Sequence, residues 1–281
     1  MNNLIAVTIG DINGIGIDLL IKLWKKKDNN KFVLFTNINI LKKYLRKKKL
    51  KIKLNHINKK NSKLNFVKEN LNVFSYDSLT NEENTYKSIK FAHKYCIEKK
   101  FIGVITLPIS KKLIINKINP NFIGHTEFFQ DLDNKKYSNM IFSYKNIIIS
   151  TLTTHIKINK IVKQLKRNNY IYNQILNLNK SLIKDFHIKK PKIVISGLNP
   201  HAGENGNIGK EEIKIINPAL KKLRKKVLID GPISGDSMLI ENNFKKYDCF
   251  LFIFHDQALI PFKFISKFSG VNFTGNLDII R

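Results

Sequence analysis

The sequence is poor in cysteine and has no long apolar run. Cys96 and Cys249 are its only cysteines, too few and too far apart for a disulfide framework. Cys249 lies in an apolar segment, where a buried thiol is expected, and a reducing cytoplasm fits. No segment approaches the roughly 20 apolar residues of a membrane span, and residues 1–10 lack the basic lead and apolar centre of a secretory signal. We therefore predict a soluble, cytoplasmic protein.

Acidic residues are also scarce. The chain has 21 Asp and Glu against 50 Lys and Arg, a formal charge of +29, which would favour a polyanionic partner. Only Arg46, Arg167, Arg224 and Arg281 are arginine, although arginine is the residue favoured for bidentate contacts to phosphates and bases. Lysine, isoleucine and asparagine are abundant along the whole chain, as expected from an A- and T-rich genome. We interpret the charge as a composition bias and predict no specific nucleic-acid partner and no membrane partner.

The 281 residues are enough for one large domain or two smaller ones. Compact apolar runs alternate with segments of helical periodicity, which is typical of an α/β protein with a largely parallel sheet. Residues 42–63 are rich in lysine and asparagine and are predicted to be exposed and weakly specified. The predicted strands are 4–9, 32–35, 102–106, 145–152, 192–196 and 249–254, and the predicted helices are 17–26, 82–99, 170–185 and 209–226.

Three histidines, His155, His201 and His255, lie in short polar segments that follow predicted strands. The carboxyl ends of strands are where open α/β sheets bind their ligands. Imidazole is the commonest protein ligand for divalent transition metals, and three protein ligands with one open position are usual in a catalytic zinc-type site. A single histidine of this kind is more often an ordinary loop residue. Three in parallel contexts predict a shared divalent ion.

Three glycine-containing segments lie at turns or possible helix starts. Residues 10–16 (GDINGIG) could offer backbone N–H groups to an anion, but the spacing is not the dinucleotide fingerprint and a simple tight turn explains it equally well. Residues 124–127 (GHTE) could orient a polar substrate or form an ordinary helix start. Residues 197–209 contain so many glycines and polar groups that ordering them is costly unless the loop has a function.

The loop at 197–209 is part of a longer series of motifs. It begins with GLNPHAGE at 197–204, followed by Gly209, Glu211, Glu212 and PAL at 218–220. The other segments of the series are Gly10-Asp11, 14–16, 106–108, 124–127, 153–155, Gly231-Pro232 with Asp236, 255–257 with Pro261 and Lys263, Val271-Asn272 and 279–281. As a set, they resemble the 4-hydroxythreonine-4-phosphate dehydrogenase family of pyridoxal phosphate biosynthesis. The resemblance covers essentially the whole chain.

The resemblance implies an α/β fold similar to the isocitrate and isopropylmalate dehydrogenases, with two α/β/α lobes around a cleft. The first lobe would be discontinuous, comprising residues 1–128 and 257–281. The second lobe would comprise residues 129–256 and contain metal-binding and dimer elements. The resemblance also implies an obligate homodimer whose active sites include residues from both subunits.

Site residues follow from the resemblance by matching motif positions. His155, His201 and His255 would bind a divalent metal, with Zn²⁺, Mg²⁺ and Co²⁺ as the candidates. Asp256 and Asp236 are candidates for orienting a ligand histidine or for transferring a proton. No residue is assigned to the nicotinamide cofactor. The substrate would contact His125, Thr126, Lys263, Asn272 and Arg281.

The implied reaction depends on a metal and on NAD or NADP. It oxidises 4-phosphohydroxy-L-threonine to 2-amino-3-oxo-4-phosphooxybutanoate, which loses carbon dioxide to give 3-amino-2-oxopropyl phosphate. Two alternatives remain open. A related dehydrogenase of another phosphorylated hydroxy acid would use the same metal and phosphate groups, and a catalytically decayed homologue could bind polyanions instead.

Several positions depart from the family pattern. Ile12 and Ile17 stand where the family has prolines in the glycine turn, and Ala258 replaces a glycine after residues 255–257. Family members continue beyond the position of Arg281, and in related dehydrogenases that region helps to hold the adenine half of the cofactor. The sequence as given is therefore expected to bind NAD weakly.

Overall fold

A computed structural model describes residues 3–26, 31–57 and 65–281. The chain forms two compact units: the first runs to Asn134 and includes Asp278–Arg281, and the second comprises Lys135–Leu277. Residues 58–63, part of the stretch predicted to be exposed and weakly specified, lie outside the described residues. The described part of that stretch includes the end of a helix and a strand at 54–57, so it is more regular than the sequence predicted.

The first unit is built around a parallel sheet. Its strands are β1 (Ile5–Thr8), β2 (Phe32–Phe35), β3 (Leu54–Ile57), β4 (Leu71–Phe74) and β5 (Gly103–Thr106), and its helices are α1 (Ile15–Lys25), α2 (Ile38–Lys47), α3 (Asn81–Ile97), α4 (Lys111–Lys117) and α5 (His125–Leu132). The strand order is β3-β4-β2-β1-β5. Successive residues of β2 face opposite layers: Leu34 packs with α1 and α2, and the ring of Phe35 lies 6.2 Å from that of Tyr95 on α3.

The second unit contains a mixed sheet. Its strands are β6 (Asn139–Tyr144), β7 (Ile147–Thr151), β8 (Lys192–Ser196), β9 (Leu228–Ile233), β10 (Cys249–Phe252) and β11 (Val271–Gly275), and its helices are α6 (Ile161–Leu165), α7 (Tyr170–Lys184), α8 (Asn217–Leu223), α9 (Glu241–Lys246) and α10 (His255–Ser266). The strand order is β11-β6-β7-β10-β8-β9. Ile193 and Ile195 of β8 pack with α7 and α8, and Val194 packs with α10. Both faces of this sheet are therefore covered.

One predicted helix is interrupted. Residues 209–226 were predicted as a single helix, but a π-helical turn at Glu212–Ile216 precedes the short α8. Pro218, in the first turn of α8, has no N–H to continue the regular i→i−4 pattern. A local π-helical turn accommodates this loss and is frequent at functional sites.

The division into units differs from the predicted lobes for residues 129–134 and 257–277. β11 pairs with β6 of the second sheet, and α10 packs on that same sheet. Only Asp278–Arg281 return to the first unit. Within the described parts of both units, no helix is long and apolar enough to cross a membrane.

Candidate functional site

Three neighbouring parallel strands of the second sheet end at the same edge. β10 lies between β7 and β8 and runs parallel to both. The segments that follow these strands therefore leave the sheet side by side, at the edge where α/β sheets bind ligands. His155 follows β7, His255 follows β10 at the start of α10, and His201 follows β8.

Hydrogen bonds between the strand ends hold these segments together. The backbone N–H of Thr153 (3.0 Å) and its hydroxyl (2.8 Å) both donate to the carbonyl of Ile253. The side-chain oxygen of Gln257 accepts the N–H of Ile253 at 2.9 Å and the hydroxyl of Ser196 at 3.1 Å. The side-chain nitrogen of Gln257 donates to the carbonyl of Gly197 at 3.0 Å. The start of each histidine-bearing segment is thus fixed against its neighbour.

His155 and His255 form a close pair. Their ring centroids are 5.4 Å apart, with the ring planes at 47°. Two imidazoles bound to one tetrahedral ion through bonds of about 2.0–2.1 Å would have centroids about 5 Å apart. Nδ1 of His255 lies 3.1 Å from Oδ1 of Asp256, an arrangement that orients the ring and leaves Nε2 for a metal. The pair therefore fits two positions of a metal site.

His201 lies in a left-handed turn. All five residues from His201 to Asn205 have φ between 43° and 83°, a conformation that costs a non-glycine residue roughly 1–2 kcal/mol. Backbone strain of this kind is concentrated at functional sites. In the part of the chain that the structure describes, no group of three His, Cys, Asp or Glu side chains is arranged to hold a metal ion. The structure thus brings His155 and His255 together but does not complete the set with His201.

Asp236 lies near the segment that contains His201. The hydroxyl of Ser234 donates to its carboxylate at 2.5 Å. This hydrogen bond is the main cause that holds the pKa of Asp236 below its usual value, and the nearby His201 lowers it further. Asp236 is therefore an exposed carboxylate that is ionised at neutral pH.

The other candidate residues lie in the first unit, around Arg281. Its guanidinium donates to the hydroxyls of Thr126 and Thr106, both at 3.2 Å, and lies 5.6 Å from the centre of the Phe129 ring. Burial lowers the pKa of Arg281 to about 10, so the group stays charged at neutral pH. A half-buried cation held by two hydroxyls suits a phosphate or carboxylate. Thr106, at the end of β5, was not assigned from the sequence.

A buried network anchors the segment that carries Arg281. Oδ1 of Asp133 lies 2.5 Å from Nε2 of His93 on α3, and Oδ2 accepts the N–H of Asp278 at 2.7 Å. The carbonyl of Ile280 accepts a further N–H from β5 at 2.9 Å. These contacts fix the backbone of the last residues, which positions the guanidinium beside its threonines.

His125, at the start of α5, is a half-buried histidine near two cations. Burial, with Arg281 and Lys111 nearby, lowers the pKa of His125 to about 3, so the ring is neutral at physiological pH. Among the described residues, its buried Nε2 has no hydrogen-bond partner. A buried polar atom of this kind calls for a ligand or water, and a polar substrate group could supply the contact. Lys111, at the start of α4, was not singled out from the sequence.

The low pKa of His125 leads to a prediction about acid stability. Its pKa of about 3 in the folded state is below the ordinary value of 6.5, so the unfolded chain binds the proton more readily between these values. The free energy of unfolding should therefore fall as the pH decreases from about 6.5 towards 3. Urea unfolding at pH 7 and pH 4.5 should show a smaller fall for His125→Gln than for the wild type. His56→Gln, at an exposed position of β3, is the control. An unchanged fall in His125→Gln would contradict the prediction.

Lys263 and Asn272 are both exposed and belong to the second unit. Lys263 follows His255 by eight residues on α10, which is about 12 Å along the helix axis. Asn272 lies on β11, which is separated from β10 by β6 and β7, or about 14 Å across the sheet. Within one chain, the backbone thus places both residues well away from His255.

The glycine turn at residues 10–16 is explained by close backbone packing. Gly10 has φ +64°, and a Cβ there would lie 2.4 Å from the carbonyl oxygen of Pro108. The N–H of Asp11 donates to that same oxygen at 2.8 Å. The turn therefore supports the segment that follows Thr106, which agrees with the simpler of the two sequence-based interpretations.

Comparison with known proteins gives the same family that the motifs resemble. A profile described as "Pyridoxal phosphate biosynthetic protein PdxA" matches residues 28–281. A 4-hydroxythreonine-4-phosphate dehydrogenase from Sulfurihydrogenibium sp. (strain YO3AOP1) is 33% identical, over 99% of this chain and 88% of its own. The enzyme of that name from Wigglesworthia glossinidia brevipalpis is 35% identical, over 99% and 86%. The crystal structure of the Klebsiella pneumoniae enzyme has a TM-score of 0.86 at 25% identity and covers 99% of this chain and 89% of that one. The expected isocitrate dehydrogenase-like α/β fold is thereby confirmed.

Proposed function

The chain belongs to the PdxA family of pyridoxal phosphate biosynthetic proteins, and from this premise we propose that it is a 4-hydroxythreonine-4-phosphate dehydrogenase. It oxidises 4-phosphohydroxy-L-threonine to 2-amino-3-oxo-4-phosphooxybutanoate, which decarboxylates to 3-amino-2-oxopropyl phosphate, with NAD or NADP as the hydride acceptor. The observation that carries the proposal is the His155–His255 pair, 5.4 Å between centroids, at the ligand-binding edge of the sheet. A cytoplasmic location suits the two buried free cysteines.

A divalent ion, Zn²⁺, Mg²⁺ or Co²⁺, is proposed to bind His155, His201 and His255. When bound, such an ion lowers the pKa of a coordinated hydroxyl and thereby favours its oxidation. Asp256 orients the His255 ring through Nδ1, at 3.1 Å. Asp236, ionised and close to the segment of His201, is proposed to accept a proton during the reaction.

The substrate is proposed to contact positively charged residues and neutral polar residues. Arg281 and Lys263 supply positive charge for the phosphate or carboxylate, and Asn272 supplies an amide donor. His125 stays neutral because its pKa is about 3, so it binds the substrate as a hydrogen-bonding group and does not act as a titrating base. The hydroxyl of Thr126, which accepts from Arg281 at 3.2 Å, is available as a donor.

The protein is proposed to act as a homodimer whose sites combine residues of two subunits. An apolar surface supports this proposal: Ile260 and Phe264 of α10 are 70% and 84% exposed, and Phe268 and Val271 are 81% and 63% exposed. Several exposed apolar side chains on one short stretch of the chain are typical of an interaction surface. Lys263 lies within the same stretch. Burying this surface against a second copy would bring Lys263 to the partner's site. Within one chain, Lys263 is about 12 Å from His255 along α10, which disfavours a shared site.

Paired heterodimers give a test of the shared site. A chain with His155→Gln is co-expressed with a differently tagged chain with Lys263→Ala, and the heterodimer is purified. If each site combines His155 of one chain with the partner subunit's Lys263, one site is intact and activity should be about half that of the wild type. The reciprocal heterodimer, with both substitutions in one chain and a wild-type partner, should then be inactive. The opposite pattern would place both residues in one chain.

The test of the function is turnover of 4-phosphohydroxy-L-threonine by the purified chain with NAD or NADP, with and without a divalent ion. Product formation that requires the ion, and that exceeds turnover of other phosphorylated hydroxy acids, is expected. Preference for another such acid would favour the related dehydrogenase. No turnover, together with RNA binding that weakens steeply with salt, would favour a polyanion-binding homologue.

A further inference from the structure

Glu212 is a carboxylate enclosed in the second unit. Only 2% of its surface is exposed, and it begins the π-helical turn that precedes α8. Oε1 accepts the backbone N–H groups of Leu198 and Asn199, both at 2.8 Å. Oε2 accepts the side-chain amide of Asn199 at 2.9 Å. All of these contacts go to the first residues of the segment that carries His201.

Glycines allow the left-handed turn to close over this carboxylate. A Cβ at Gly203 would lie 2.6 Å from Oε2 of Glu212, and a Cβ at Gly197 would lie 2.7 Å from Cα of Ala202. Distances below 3.0 Å are essentially never seen for real Cβ atoms. Gly203 of the turn therefore packs directly against the carboxylate of Glu212. The same carboxylate accepts the backbone N–H groups of Leu198 and Asn199, which lead into the turn.

We infer that Glu212 is a positioning residue that fixes the backbone of the His201 turn, from which His201 would reach a divalent ion bound by His155 and His255. The turn consists of residues in a disfavoured conformation, which persist only when their surroundings determine them. A buried group with several fixed hydrogen bonds provides such support. This inference rests on the proposed function, because it assigns the purpose of the turn to the divalent ion. It adds a residue that does not itself touch the ion or the substrate.

Substitutions at the adjacent residues Glu211 and Glu212 distinguish this positioning role from a general loss of stability. Glu212→Met removes both acceptor oxygens at similar length, and Glu212→Gln replaces one oxygen by a donor that would face the amide of Asn199. Glu211→Met is the matched control. Glu211 accepts the same Asn199 amide at 2.9 Å, but it is more exposed than Glu212. Circular dichroism and thermal unfolding then select the variants that are folded at the assay temperature.

Co²⁺ binding to the metal-free dimer is measured by calorimetry and by the visible absorption of the bound ion. We expect Glu212→Met to weaken Co²⁺ binding by roughly 10- to 100-fold, the usual effect of losing a supporting contact around a metal site. Glu212→Gln should lie between it and the wild type, and Glu211→Met should stay near the wild type. Hydrogen exchange of the Leu198 and Asn199 amides in the metal-free protein should be faster in both Glu212 variants.

The outcomes distinguish the inference from the function on which it rests. Wild-type Co²⁺ affinity in a folded Glu212→Met variant, or in Glu212→Gln if Glu212→Met does not fold, would overturn the inference alone. Equal weakening in Glu211→Met would also overturn it, because the effect would not be specific to Glu212. A wild-type dimer that binds none of Co²⁺, Zn²⁺ and Mg²⁺ would overturn the proposed metal-dependent function and the inference with it.

Discussion

Replacing His155 by glutamine is expected to abolish binding of the divalent ion and to lower kcat by at least about 10³-fold. An ion that stabilises developing charge on the substrate oxygen contributes several kcal/mol to the transition state, and each 1.36 kcal/mol is about a factor of ten in rate. Glutamine keeps polar atoms at a similar distance but lacks the imidazole nitrogen that divalent transition metals prefer. The effect of replacing His155 should be large because the centroid of its ring lies 5.4 Å from that of His255, as expected for two ligands of one ion.

Metal titration and steady-state kinetics on the same preparation provide the measurement. His56→Gln makes the same chemical change at an exposed position of the first unit and should leave both quantities unchanged. A His155→Gln protein that binds Co²⁺ as tightly as the wild type would exclude His155 as a ligand. Retained binding with lost turnover would instead indicate that His155 acts on the substrate.

Strands that are buried on both faces were the most predictable part of the fold. The run at 192–196 coincides with β8, and the run at 249–254 contains β10, because continuous apolar sequence is typical of a strand covered by helices on both sides. The alternation of such runs with helical segments also predicted the α/β class. The information needed for these assignments is local, so it can be read directly from the sequence.

Strand β4, which contains a buried asparagine, was not predicted. β4 reads LNVF, and Asn72 within it is only 2% exposed. Its side chain accepts the N–H of Val67 at 2.9 Å and donates to the carbonyls of Val67 and Asn70 at 2.9 and 3.0 Å. Hydrogen bonds thus make burial of the asparagine possible. A pattern of apolar residues contains no sign of that compensation.

The candidate site likewise has features that the sequence predicted and features that it did not. The positions of His155, His201 and His255 after strands are local features, and the sequence located them. Pro218 was an available signal that the helix predicted at 209–226 would not be regular. The enclosure of Glu212, by contrast, depends on backbone N–H groups 13 and 14 residues earlier in the chain. The spacing of residue types along the sequence does not indicate such a contact.

Substrate affinity should depend most strongly on Arg281. Replacing it by methionine is expected to raise KM for 4-phosphohydroxy-L-threonine by about 10- to 100-fold, because a hydrogen bond to a charged group is worth roughly 1.5 to 3 kcal/mol. kcat should change less, since the guanidinium is proposed to bind a charged group of the substrate and not the hydroxyl that is oxidised. Arg281→Lys should be intermediate, because an ammonium cannot reproduce the planar fork that contacts Thr106 and Thr126 at 3.2 Å.

Arg46→Met, at an exposed position of α2, is the matched control, and thermal unfolding checks that the loss of packing on Phe129 leaves the protein folded. A folded Arg281→Met protein with wild-type KM and kcat would show that Arg281 does not bind the substrate.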